Sequence, residues 1–137
     1  MRYRYVFTEW FERNLRHLHR RNPRLHRDLT QFLQGLDAES HPVISGTGGA
    51  RKAQMKVSGR GKSGGYRVIY YLFAANTVWL LTIYDKVQKE DLTTAEENRI
   101  FQLIQEINSR PSTKEQDRPT SPQEGAIHSR KWDAPGA

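Results

Sequence analysis

Cysteine is absent from the chain's 137 residues, which excludes disulfides and thiolate metal sites and fits a reducing compartment. Long apolar runs are missing too: no stretch approaches the ~20 residues that a membrane span requires. The first ten residues, MRYRYVFTEW, are charged and aromatic, without the apolar centre of a secretory signal. These absences lead to the expectation of a soluble, cytoplasmic protein with no membrane partner. Proline is scarce before residue 111, where only Pro23 and Pro42 occur, while four of the six prolines crowd into 111–137. That stretch is polar, with Trp132 its largest apolar residue, and its composition predicts a disordered tail. Hydrophobic residues make up only 36% of the chain, as expected if residues 1–110 form one domain and 111–137 add nothing to its core.

Negative charge is the other shortage, and it is local. Residues 1–110 hold 18 Lys/Arg against 11 Asp/Glu, which accounts for the whole net charge of +7, while 111–137 hold four of each. Basicity therefore belongs to the domain, and a basic fold of this size suggests a polyanionic partner such as nucleic acid. Between Arg51 and Arg67 the imbalance is complete: Arg51, Lys52, Lys56, Arg60, Lys62 and Arg67 are accompanied by no acidic residue.

Periodicity supplies the elements. Tyr3–Phe7 alternates and reads as an edge strand. Thr8 then caps a helix whose stripe is Phe7, Trp10, Phe11, Leu15 and Leu18, ending near Arg20. Asn22-Pro23 restarts a second helix with the stripe Leu25, Leu29, Phe32, Leu33 and Leu36 and a left-handed cap at Gly35. The short join between the two predicts an antiparallel helical hairpin. Arg51–Val57 is a weakly marked strand. VIYYLF at 68–73 and TVWLLTIY at 77–84 are β-branched and aromatic, and apolar on both faces, which places them centrally in a sheet. Thr93-Thr-Ala-Glu96 is a capping box for a last helix reaching Arg110. The order β-α-α-β-β-β-α predicts an α+β fold: an antiparallel sheet of about four strands with an N-terminal helical hairpin and a C-terminal helix.

The stretch SGRGKSGGYR at 58–67 contains Gly61-Lys62-Ser63, the tail of a nucleotide-binding P-loop. The motif needs a further glycine at position 56, which is Lys56, and a helix after the loop, where YRVIYY is a strand. ATP or GTP binding is thereby disfavoured. Four glycines amid long cations instead suit an extended phosphate backbone. The histidines at 17, 19, 26, 41 and 128 show no metal spacing, so neither a metal nor a cofactor is expected.

GTGGARK at 46–52, GRGKSGGYRVIYY at 59–71 and LLTIYDKVQKEDLT at 80–93 resemble, in order and spacing, the RelE/HigB toxins of bacterial type II toxin–antitoxin systems, over roughly residues 3–108. The likeness is closest to the HigB branch. It implies a RelE/ParE-like fold and a metal-independent, ribosome-dependent endoribonuclease, an mRNA interferase that inhibits translation by cutting translated mRNA. The implied partners are the 70S ribosome and mRNA, a cognate antitoxin that neutralises the toxin, and operator DNA only through that antitoxin. In the implied chemistry the ribose 2′-hydroxyl attacks the adjacent phosphorus, and arginine steadies the phosphoryl charge. By the resemblance Arg67 is catalytic, with Lys52 a direct match and Lys56 a substitute for the family's basic pair. Arg51, Arg60, Lys62, Lys86 and Lys89 are the RNA-binding candidates. The RelE-type second arginine falls on Val87 and the RelE-type tyrosine near Thr93, leaving Tyr84 and Tyr70 as candidate replacements. These departures keep two further readings open: a ParE-like toxin that inhibits DNA gyrase by binding, and a non-toxic antitoxin-binding module.

Overall fold

A computed structural model describes residues 2–57 and 65–110; the expected tail and the tip of the glycine loop, with Arg60 and Lys62, lie outside the described residues. Seven elements occur in the anticipated order: β1 (Arg4–Phe7), α1 (Glu9–Arg21), α2 (Leu25–Gln34), β2 (Arg51–Met55), β3 (Tyr66–Phe73), β4 (Thr77–Asp85) and α3 (Thr94–Asn108). The fold is α+β, a four-stranded sheet in the order β1-β4-β3-β2. The strands that are apolar on both faces, β3 and β4, occupy the two central places because only there is each face covered.

Helices cover both faces. Val68, Tyr70, Val78, Leu80 and Ile83 meet Phe11, Leu15, Leu18, Leu25, Leu29 and Leu33 of the α1–α2 hairpin. On the opposite face Ile69, Trp79, Leu81 and Tyr84 meet Ile100, Leu103, Ile104 and Ile107 of α3. Leu25, Leu29 and Leu33 are wholly buried, each stabilising the fold by about 1.5–3 kcal/mol relative to exposure.

One part of the sheet differs from expectation. β2–β3 and β3–β4 pair antiparallel, but β1 runs parallel to β4, from Arg4 opposite Thr77 to Phe7 opposite Leu80. The sheet is therefore mixed. The reason is connectivity: β1 feeds α1, which turns back across β4, and Thr8 Oγ1 ties the corner by donating to the carbonyl oxygens of Leu80 and Leu81. The same hydroxyl accepts from the Phe11 amide as the α1 cap.

Two helix ends also differ. Asn22 closes α1 and its side chain accepts from the Arg24 amide, so the α2 cap position is Arg24, which makes no side-chain cap bond. Gly35 ends α2 with φ −101°, an ordinary conformation and not a left-handed one. The capping box at Thr93 and Glu96 forms in both directions.

The turn joining β3 to β4 is built against preference. Ala74 and Ala75 have φ of 56° and 68°, a region that costs an L-residue roughly 1–2 kcal/mol. Glycine enters it freely but loses more entropy on folding. Ala75→Gly is therefore expected to stabilise the protein by about 0.5 kcal/mol, a melting-temperature rise of roughly 2–4 °C. A lower melting temperature for that variant would contradict the strain.

Candidate nucleic-acid interface

Strand register gathers the site. Arg67 on β3 stands opposite Tyr84 on β4 and Gln54 on β2, and Lys52 stands opposite Ile69. Cross-strand partners share a face. Ile69 and Tyr84 belong to the α3-side core, so Arg67, Tyr84, Lys52 and Gln54 all lie on that face, with Lys52 diagonal to Arg67.

A β-bulge puts Tyr84 there. Ile69 pairs with Thr82 but Tyr70 pairs with Leu80, leaving Leu81 as an extra residue in β4. Simple alternation from Leu80, which faces the hairpin, would send Tyr84 to the hairpin side as well. The inserted residue switches the remainder of β4 to the other face, and Tyr84 comes to stand beside Arg67.

Both side chains carry a buried polar atom without a partner. Arg67 Nε and the Tyr84 hydroxyl are shielded from solvent and neither makes a hydrogen bond, although such groups are paired in the great majority of cases. No carboxylate forms an ion pair with Arg67 among the described residues. Burial pushes the Tyr84 hydroxyl up, Arg67 pulls it down, and Asp91 and Glu96 push it up again; the net direction is upward. At neutral pH the phenol keeps its proton.

The segment after β4 roofs this face. Lys89 lies over the Tyr84 ring, 5.4 Å from its centroid, and pairs with Glu96 in the first turn of α3. Lys52 Nζ is 3.5 Å from Asp91 Oδ1, in a pair whose acidic member is largely exposed. Such a pair is weak, so an incoming phosphate can take Asp91's place on Lys52.

The remaining expected site residues are more scattered. Lys56 is exposed one residue beyond β2, and with Gln54, Asp28 and Phe32 it lines a groove between α2 and the end of β2. Lys86 is half-buried at the root of the glycine loop, where its amide donates to the Gly65 carbonyl oxygen at 3.0 Å. Arg51 is drawn away from Arg67: its Nη1 donates to the carbonyl oxygens of Glu39 and His41, bracing the loop before β2. Tyr70 is likewise engaged elsewhere. Its hydroxyl donates to the Ala38 carbonyl oxygen beneath the hairpin, and burial pushes it up to about 12. Of the two candidate tyrosines only Tyr84 shares a face with Arg67. Val87 is exposed and Thr93 is occupied as the α3 cap.

Glu96 joins the site without being marked for it by the sequence, although the capping box announces its position. Burial would raise its carboxyl, but hydrogen bonds from Lys89 and Thr93 and the Lys89 charge outweigh that and hold it below the usual carboxylate range. A carboxyl lowered by folding contributes stability above its unfolded pKa of ~4.3 and loses it as pH falls through the lower folded value. Glu96→Gln is therefore expected to be less stable than wild type at pH 7, with the gap closing below about pH 4. Urea unfolding across pH 3–7 measures it, and a gap independent of pH would remove the carboxylate from the roof.

Among the described residues no three His, Asp or Glu side chains gather as a metal-binding group, and no helix is long and apolar enough to cross a membrane. The arrangement offers instead a guanidinium with an unused donor, a protonated phenol and two ammonium groups on one face. Searched against protein-family models, the chain matches none.

Proposed function

We propose that the protein is a RelE/HigB-like toxin endoribonuclease that cuts translated mRNA on the ribosome in the cytoplasm and is held inactive by a cognate antitoxin. One observation carries the reading: Arg67 Nε and the Tyr84 hydroxyl are orphaned side by side on a face otherwise supplied with Lys52 and Lys89. Unpaired buried donors are costly to keep. Both atoms are shielded in the unbound protein, so a phosphodiester that provides the acceptors they lack enters by displacing the Lys89 segment lying over Tyr84.

In this mechanism Arg67 receives the non-bridging phosphate oxygens, where its fork matches a pair of acceptors. Lys52 leaves Asp91 and neutralises the same phosphate. The 2′-oxygen bonds to phosphorus as its proton passes to solvent. The bond from phosphorus to the 5′-oxygen breaks, and Tyr84, kept protonated by its surroundings, donates to that departing oxygen. The products are a 2′,3′-cyclic phosphate and a 5′-hydroxyl. Lys86 and Lys56 sit to either side of the loop root, where they track the backbone away from the cut, joined by Arg60 and Lys62 of the loop.

The test is expression of the full chain without antitoxin, with primer extension on cellular mRNA. Cuts at in-frame positions are expected, together with growth arrest. Intact mRNA beside loss of gyrase supercoiling would replace this reading with the ParE-like one, and a harmless product would favour the non-toxic module.

A further inference from the structure

The α1–α2 hairpin carries an arginine ridge that the Arg67 site does not use. Residues 13–27 contain six arginines, three histidines and no aspartate or glutamate. Arg13, Arg16, Arg20, Arg21, Arg24 and Arg27 are all exposed. None of the six forms an ion pair with a carboxylate among the described residues.

Folding does not call for this ridge. The stripe that packs on the sheet is Leu15, Leu18, Leu25 and Leu29, and it is buried. Arg20 and Arg21 suit the negative end of α1, but Arg24 and Arg27 stand at the positive end of α2, where a cation is unfavourable. Arg16 and Arg20 are four apart on α1, a spacing at which like charges repel. Position relates the ridge to the rest of the molecule. Asn22 Nδ2 reaches the Tyr66 hydroxyl at 3.5 Å, so the hairpin apex lies at the end of the sheet that holds Arg67, on the opposite face. Beside the apex is a groove of about 610 Å³ lined by His19, His26, Arg27 and Gln31 among others, with no carboxylate in its walls.

We infer that this ridge is a second nucleic-acid docking surface, which grips the phosphates of a duplex without reading its bases. Three features choose the occupant. The cations are all arginine and never lysine between 13 and 27, and arginine's fork fits phosphate oxygens in pairs. The stretch has no Phe, Tyr or Trp, whereas surfaces for single strands stack bases on aromatic rings. The charges are mounted on two packed helices, which hold a fixed spacing suited to a stiff partner. Duplex binding is read without any cleavage, so it stands apart from the Arg67 chemistry.

Fluorescence anisotropy with an RNA duplex of about 20 base pairs and arbitrary sequence tests it, over salt from about 50 to 200 mM. Replacing Arg20, Arg24 and Arg27 together by alanine is expected to flatten the slope of log affinity against log salt by ~2.7 and to weaken binding more than tenfold at low salt. The triple lysine variant should keep most of the slope. Thermal melting checks the fold, and Arg24→Ala alone, with an expected slope change of ~0.9, serves if the triple variant is unstable. A wild-type slope in the alanine variants overturns the inference. So does a polyglutamate chain that displaces the duplex at equal charge, which would reassign the ridge to an acidic protein. A single strand that loses more of its salt slope than the duplex does in the triple alanine variant would overturn it as well.

Discussion

Arg67→Ala is expected to lower RNA cleavage by roughly 10²–10³-fold, the usual cost of removing one preorganised donor from a developing oxyanion, while leaving the melting temperature unchanged or slightly higher. The two halves of this result belong together. Arg67 makes no hydrogen bond through its buried Nε and no ion pair with a carboxylate among the described residues, so its removal breaks no bond that holds the sheet. A buried donor without a partner is itself a cost to folding, and its loss relieves that cost. A structural arginine behaves in the opposite way: Arg51→Ala frees the carbonyl oxygens of Glu39 and His41 and is expected to lower stability. Single-turnover cleavage of mRNA on stalled ribosomes, with a thermal melt of each variant, separates the cases. Arg67→Lys should recover part of the rate, since charge returns without the fork. Full activity in Arg67→Ala, or a loss of activity that merely tracks a loss of stability, would remove Arg67 from the chemistry.

How much of this is legible in the sequence depends on the range of the interaction that fixes each feature. Helix stripes, the Thr8 cap and the Thr93–Glu96 box are set within four residues, and they are found where the pattern puts them. The central placing of β3 and β4 comes from their being apolar on both faces, a property carried by each strand alone. The parallel pairing of β1 with β4 has no such local mark, because RYVF reads the same whichever way its neighbour runs. The site divides along the same line. Arg67 and Lys52 stand out by local charge and glycine content, but their common face depends on the β2–β3 register. Tyr70, three residues from Arg67 on the same strand, is sent to the opposite face by alternation alone, whereas one extra residue at Leu81 brings Tyr84 beside Arg67. Bulges rest on pairing across strands, so nothing within TVWLLTIY announces this one. Arg51 looks like its neighbour Lys52 in the sequence. Alternation sends adjacent residues to opposite faces, and the hairpin-side face offers Arg51 carbonyl oxygens in place of an open surface.

Gly65→Ala is expected to be the most damaging small substitution near the site, costing roughly 2–4 kcal/mol. Gly65 is the first described residue after the glycine loop, and its φ is +141°, where a side chain is strained whatever the space around it. Space is also lacking: a Cβ there would lie 2.6 Å from the Met55 carbonyl oxygen. That oxygen belongs to the last residue of β2, paired with Tyr66, and the Gly65 carbonyl oxygen in turn accepts from the Lys86 amide. An added methyl group must therefore push β2 from β3, or β3 from the segment after β4, within two residues of Arg67. Activity should fall further than the stability loss alone explains, since the displaced strands carry Lys52 and Tyr84. Gly46→Ala is the matched control. Its φ is +83°, but a Cβ there meets nothing within 4 Å, so only the backbone cost of about 1–2 kcal/mol remains. Urea unfolding of both variants gives, as their difference, the clash together with the greater backbone strain at φ +141°. Equal losses would mean that the strands yield without cost at Gly65, and the close approach of β2 to β3 at that point would then not be what holds Arg67 in place.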